Sequence, residues 1–214
     1  MSRVSAPPSS DATEPAPAFP LIGGRPCLNF VATLGKRHGD TPLERLPDPD
    51  ALARWIGEAG LYAGADDAPV HITTGDLSYA RTLREAVYRL VRASMDGNAP
   101  DPGDIAQVNE AAALPDLAPQ LAAPDDGSAP SLYWKAGRPG AAALATVARD
   151  AVLLTGGPLV TRVKECENPS CSLLFLDDSQ ARRRRWCSMD RCGNLAKVAG
   201  YRSRGRAAST RATT

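Results

Sequence analysis

The sequence predicts a mainly α-helical chain with one small β-hairpin, an α+β arrangement that ends in a treble-clef-like finger built on four cysteines. Three observations predict it. Four segments place apolar residues at helical spacing between cap and stop signals. Two short apolar runs flank the turn-forming stretch Pro124-Asp125-Asp126-Gly127-Ser128. Four of the five cysteines form two pairs, Cys166-x4-Cys171 and Cys187-x4-Cys192, with fifteen residues between the pairs.

Residues 1–20 read as a disordered leader. Pro7, Pro8, Pro15, Pro17 and Pro20 are mixed with Ser, Ala and acids, without any helical or strand period. Gly23-Gly24 is a turn, and Cys27 to Leu34 is the first strongly apolar stretch, either a strand or the start of a helix. Cys27 stands apart from the other cysteines and reads as a small buried hydrophobe.

Asp48 to Ala59 is a helix. Asp48 caps it, Pro49 suits the first helical position and Gly60 follows its end. Leu52, Trp55, Ile56 and Ala59 share one face, with Trp55 as a core anchor. Thr73 or Thr74 opens a longer helix that runs to about Met95 and is closed by Asp96-Gly97-Asn98. Its buried stripe is Leu77, Ala80, Leu83, Val87, Leu90 and Val91. Arg81, Arg84, Arg89 and Arg92 lie off that stripe, either solvated or paired with acids, or forming a second basic face.

A third helix covers Asp101 to Leu114, with Ile105, Val108 and Ala112 inward and Pro115 as the stop. Leu117–Ala122 and Ser131–Ala136 form the hairpin, with Leu132 and Trp134 on one face and Tyr133 on the other. A fourth helix runs from Pro139 to about Thr155, burying Leu144, Val147, Ala151 and Leu154, and Gly156-Gly157-Pro158 breaks it. Leu159 to Glu165 is extended and enters Cys166 directly. No Gly/Ser linker separates the finger from the helices, so the finger is docked on them or held at a fixed distance. The expected division is a leader over 1–20, a helical domain over 21–158, the finger with a basic helix over 159–206 and a flexible tail over 207–214.

Charge is divided as sharply as structure. The net charge is +1, but residues 180–214 hold ten cations (nine Arg and Lys197) against one acid, Asp190. That stretch is therefore +9 and residues 1–179 are −8. Such a contrast points to a nucleic-acid contact in the basic part. No run of eighteen apolar residues exists to cross a membrane, and the N-terminus carries Pro, Ser and acids where a signal peptide is apolar. The expected location is the cytoplasm, where paired cysteines bind metal more often than they form disulfides.

Two cysteines four residues apart can turn inward together if the chain bends between them. Asn168-Pro169-Ser170 supplies that bend in the first pair, and Ser188 to Arg191 leads into a helix near Cys192 in the second. Leu173 to Leu176 form an apolar strand between the pairs, and Asp177-Asp178-Ser179 a turn. Cys166, Cys171, Cys187 and Cys192 are the expected ligands of one structural Zn²⁺. A catalytic zinc needs an open position and usually a His or carboxylate ligand; the only two His, His38 and His71, lie outside the C-terminal half.

Guanidinium groups contact phosphate bidentately. Arg182, Arg183, Arg184, Arg185, Arg191, Lys197, Arg202, Arg204 and Arg206 are the expected phosphate contacts. Asn194 is placed to read a base edge or cap the helix. Part of the cluster balances the thiolates' negative charge. Trp186 beside Cys187 belongs to the finger's small core. With about 5 phosphates contacted, affinity falls with a log–log salt slope of roughly −4 to −5.

The pattern Cys166-Glu167-Asn168-Pro169-Ser170-Cys171, Leu174-Phe175-Leu176-Asp177, Arg184-Arg185-Trp186-Cys187-Ser188-Met189 and Cys192-Gly193-Asn194 with Ala196-Lys197 resembles the CGNR-type zinc finger. The upstream chain resembles the helical ABATE domain that usually precedes it, chiefly in Gly24 to Leu34 and the Asp48 to Gly60 helix. The resemblance implies a stress-induced transcription regulator that binds zinc through the four cysteines and binds DNA. Two departures stand out. Leu195 occupies the signature Arg position after Cys-Gly-Asn, so a phosphate contact made by that Arg is missing here, with Arg191 and Lys197 as the residues to compensate for it. Asn29 and Ala32 replace the polar residues of the family's first motif, so no inherited ligand site is assigned there.

The reading is therefore a transcription regulator that binds DNA through residues 166–206. Its N-terminal domain senses a small-molecule or protein effector, or forms a homodimer. The rival readings are an RNA-binding finger and a protein-interaction module. No catalytic residue is assigned: the sequence has no glycine-rich phosphate loop, nucleophile elbow or well-spaced acid pair.

Overall fold

The computed structural model describes residues 17–62, 70–123, 129–195 and 197–198. Its helical part is assembled by five helices that bury one shared apolar core. Helix α1 (Pro26–Val31) resolves the ambiguity of the first apolar stretch in favour of helix. Pro26 starts it, and Cys27, Leu28, Phe30 and Val31 are all buried. It is followed by a minimal antiparallel pair, β1 (Leu34–Gly35) and β2 (Leu43–Glu44), which was not anticipated. Each of these strands has only two residues, too short to show alternation in sequence.

Helix α2 (Pro49–Glu58) begins as expected: Asp48 accepts a hydrogen bond from the Ala51 N–H at 2.7 Å. Trp55 is fully buried, and its ring centroid lies 5.0 Å from that of Phe30. Helix α3 (Thr74–Asp96) opens with a complete capping box between Thr73 and Asp76 and closes on Gly97, whose φ of 69° is the left-handed geometry that glycine adopts at low cost. The whole expected stripe of this helix is buried. Its arginines are paired with acids. Arg84 is buried and holds Glu44 with two 2.7 Å bonds, Arg89 holds Asp104, and Arg92 holds Glu165 and Asp96. The alternative of a second basic face here loses its cations to these pairs.

Helices α4 (Pro102–Ala113) and α5 (Pro139–Thr155) pack against each other and against α3. Ile105 departs from expectation, being 40% exposed. Val108 and Ala111 take the inward positions, and Asp104 is drawn into the core side by Arg89. The hairpin is formed by β3 (Ala118–Ala122) and β4 (Ser131–Lys135), with Pro119 opposite Trp134. Only Trp134 of its expected apolar face packs on the core, and Leu132 is 59% exposed. The turn residues 124–128 lie outside the described residues.

The segment after α5 also differs from expectation. Pro158–Arg162 winds into a 3₁₀ helix, and only Val163–Glu165 (β5) is extended. Pro158 at its start presets the helical φ, which a reading by hydrophobicity alone overlooks. β5 pairs antiparallel with β6 (Leu174–Leu176). Phe19, expected in the leader, is buried in the main core under the guanidinium of Arg54, so the packed chain starts before residue 21; residues 1–16 lie outside the described set. Among the described residues no helix is long and apolar enough to cross a membrane.

Strand β6 is the seam of the molecule. Side chains alternate across a strand. Leu174 and Leu176 point into the helical core, and Phe175 points into a second cluster with Cys166, Leu173, Cys187 and Cys192. Ala32, at the end of α1, belongs to that second cluster too. The Leu176 N–H donates to the Gly23 carbonyl at 2.8 Å, and the Arg37 N–H to Ser172 Oγ at 2.8 Å. The finger is thus docked on the helices.

Candidate metal centre and nucleic-acid interface

The first cysteine pair sits in the turn of the β5–β6 hairpin. Cys166 directly follows β5, and its N–H donates to the Leu173 carbonyl at 2.9 Å. Asn168 makes the expected bend, its carbonyl accepting from the Cys171 N–H and its Oδ1 from the Ser170 N–H. In the second pair Cys187 precedes, and Cys192 lies within, a wide helical turn, Met189–Gly193, in which hydrogen bonds reach five residues back. The helix therefore begins before Cys192, where it was expected. Its cap is Ser188, which accepts from the Arg191 N–H at 3.1 Å. Asn194 follows that turn and is exposed, so the capping role expected of it falls to Ser188.

The four Sγ atoms all lie within 4.8 Å of one another. Cys171 and Cys187 are 3.8 Å apart, and Cys187 and Cys192 3.6 Å. Tetrahedral Zn²⁺ with bonds of about 2.3 Å requires S–S edges of about 3.8 Å. The donor set and spacing fit one structural Zn²⁺. The sulfurs also share their protons unequally. Hydrogen bonding from Cys187 above all lowers Cys171 to about 5, while the same bond raises Cys187, and burial raises Cys166 to about 11. A dication bound by all four replaces this unequal sharing with four metal–thiolate bonds. The Cys187 N–H points at Cys166 Sγ from 3.5 Å. Cys27 lies elsewhere, fully buried beside Asp150, and burial pushes its thiol well above the usual range.

A buried carboxylate whose role the local sequence does not reveal organises the arginine run. Asp177 Oδ2 accepts from Lys164 Nζ at 2.6 Å and from the Arg184 N–H at 2.9 Å; its Oδ1 accepts from the hydroxyl and N–H of Ser179. Burial pushes this carboxyl upward, but the Lys164 and Ser179 hydrogen bonds outweigh it and hold Asp177 well below the usual carboxylate range. Asp177-Asp178-Ser179 reads only as a turn in sequence; its proximity to Lys164 is a product of the strand pairing.

The four arginines have different fates. The Arg184 guanidinium is turned inward: it donates to the Cys187 carbonyl at 2.7 Å, pairs with Asp178 and lies 4.8 Å from the Phe175 ring. Arg185 pairs with Glu167 at 2.6 Å and lies over Trp186, yet stays 64% exposed. Arg182 and Arg183 are exposed and make no ion pair among the described residues. Arg183, Arg184, Arg185 and Trp186 line one shallow cleft of about 250 Å³. Arg191 is exposed but lines a different cleft, facing the helical part. Lys197 is exposed; Arg202, Arg204 and Arg206 lie outside the described residues. Trp186 is partly buried against the cysteine cluster, in keeping with a core role.

These features define a helical protein carrying a four-cysteine, structural-zinc finger on its flank. Comparison with protein-family models agrees with that class. Residues 24–158 match the ABATE domain, described as a "putative stress-induced transcription regulator", and residues 162–205 match the CGNR zinc finger. The chain belongs to the ABATE family, with a CGNR zinc finger at its C-terminal end. A comparison with curated proteins finds no match.

Proposed function

We propose that this chain is a transcription regulator that grips DNA through its finger, with Cys166, Cys171, Cys187 and Cys192 as the zinc ligands. In this reading a helical domain receives a signal or forms a homodimer, and the finger that follows it binds nucleic acid. The observation that carries the reading is the pinning of the arginine run. Lys164 and Asp177 fix its backbone, and Arg182, Arg183 and Arg185 project from it exposed. A rigid backbone that presents guanidiniums loses little entropy on meeting a phosphate backbone. The matched regulatory family supports the same reading.

A mobility-shift titration with genomic DNA fragments and with RNA, at two salt concentrations, tests it. DNA binding that weakens steeply with salt is expected, and Arg183→Ala is expected to reduce the salt slope by about 1 with zinc retained. Absence of binding at low salt would sink the proposal. Tighter binding to RNA would replace it with the RNA reading.

A further inference from the structure

The cleft that Arg191 lines is a junction between the helical part and the finger. It encloses about 250 Å³, just below the range of roughly 300–1,000 Å³ typical of small-molecule pockets. One wall carries Lys36, Gly35 and Arg45; the other carries Asn168, Ser170, Cys171 and Arg191. No Asp or Glu lines it.

Arg45 is the unusual member. It is only 7% exposed and makes no ion pair among the described residues. Its neighbour Glu44 is taken by Arg84. The Arg45 guanidinium is fixed by two neutral acceptors, the carbonyls of Ala18 at 3.1 Å and Ala32 at 3.2 Å. Its Nη1 crowds Gly35, where an added Cβ would stand 2.5 Å from it. Buried cations are normally paired. Here burial, with Arg191 across the same cleft adding to it, disfavours the charged form of Arg45, and Cys171 and Glu44 offset this only in part. Four thiolates with one zinc dication leave a site two units negative. Lys36, Arg45 and Arg191 together exceed that by one, and the thiolates are already committed to the metal.

We propose that this cleft binds a small oxyanion, a phosphate or carboxylate group of a free metabolite, between Arg45 and Arg191. Arg45, held in place through Nε and Nη1, offers its Nη2 from the helical part, and Arg191 closes on the same group from the turn between Cys187 and Cys192. The anion replaces cation–cation repulsion across the junction with two attractions, so its occupancy tightens the finger against the helices. The burial of Arg45 favours a small free ligand over a phosphate of a nucleic-acid backbone.

The test uses full-length zinc-loaded protein without DNA, so its outcome is independent of the DNA reading. Inorganic phosphate is titrated at ionic strength held constant with sodium chloride, followed by ³¹P line width and by melting temperature. A saturable response is expected in the wild-type protein. It is expected to weaken about tenfold or more in Arg191→Gln, which alters an exposed residue, and in Arg45→Lys, with zinc at one per chain in both. No saturable response beyond the chloride control overturns the proposal, as does a response in both variants as strong as that of the wild type. A final arm separates the two sources of phosphate. Arg45→Lys is expected to bind DNA as the wild type does in phosphate-free buffer. A fall in DNA affinity matching the loss of phosphate affinity assigns the cleft to the nucleic-acid backbone and overturns the free-anion proposal.

Discussion

Lys164 and Asp177 form an ion pair at 2.6 Å that spans the β5–β6 hairpin, and the same ammonium reaches the carbonyls of Arg182 at 2.7 Å and Arg184 at 3.3 Å. One lysine thus serves as the clamp for the arginine run. Arg182 itself has a φ of 50°, a conformation that a non-glycine residue holds only when its surroundings fix it.

Replacing the clamp tests this directly. Lys164→Met is expected to free the run while leaving every arginine and all four cysteines in place. Trypsin should then cut within Arg182–Arg185 severalfold faster than in the wild type, with zinc content unchanged. An unchanged cleavage rate would show that the run is held by something other than Lys164.

The arginines are expected to separate by role. Arg184→Ala removes the donor to the Cys187 carbonyl and the cation over Phe175, so it should speed zinc release. Loss of such supporting contacts typically costs about 10–100-fold in metal affinity. Arg183→Ala should leave zinc release alone. The measurement is transfer of zinc to a colorimetric chelator.

The Glu44–Arg84 pair carries a pH signature. Burial pushes the Glu44 carboxyl up, but hydrogen bonds and charge from Arg84 hold it below its ordinary value. A carboxyl depressed in the folded state stabilises the protein above its unfolded pKa of about 4.3 and loses that contribution as the pH falls through the folded value. Glu44→Gln is therefore expected to cost about 1–2 kcal/mol at pH 7, measured by urea unfolding. The difference from the wild type should stay constant down to about pH 4.3 and shrink below it. A difference that persists at pH 2 would contradict the assignment.

The two faces of β6 should respond differently. Phe175→Ala is expected to cost about 3–5 kcal/mol and to accelerate zinc release, because Phe175 is fully buried against the cysteines. Leu174→Ala is expected to cost about 2–5 kcal/mol, with smaller effect on the metal. Equal zinc-release rates in the two variants would mean that the alternation across β6 does not divide the cores.

How far these features can be read from sequence depends on the range of the interactions behind them. The helices α2 to α5 are legible because cap, stripe and stop lie within one segment: Asp48, Thr73, Gly97 and Leu154 do what local rules require. The cysteine cluster is legible because two pairs with a bend inside each can close on one ion. Ile105 misleads because helical spacing does not say which of two adjacent faces meets a neighbour, and the Arg89–Asp104 pair turned α4 toward Val108 and Ala111. Asp177 and Arg45 are invisible in sequence. Each owes its role to a partner brought near by folding: Lys164 across a hairpin, and Arg191 from about two thirds of the chain away.

The placement of Leu174 and Leu176 turns metal occupancy into a mechanical property of the helices. Both leucines belong to the core that α1, α3 and α5 share, yet the strand that carries them is held in shape by the ligand knot on its other side. Stripping the ion with a chelator should leave the far-ultraviolet helical signal largely intact, while the temperature at which that signal collapses drops by several degrees. A protein whose remote helices report the state of its finger has a built-in readout: heating it and watching helix content titrates zinc without touching the site.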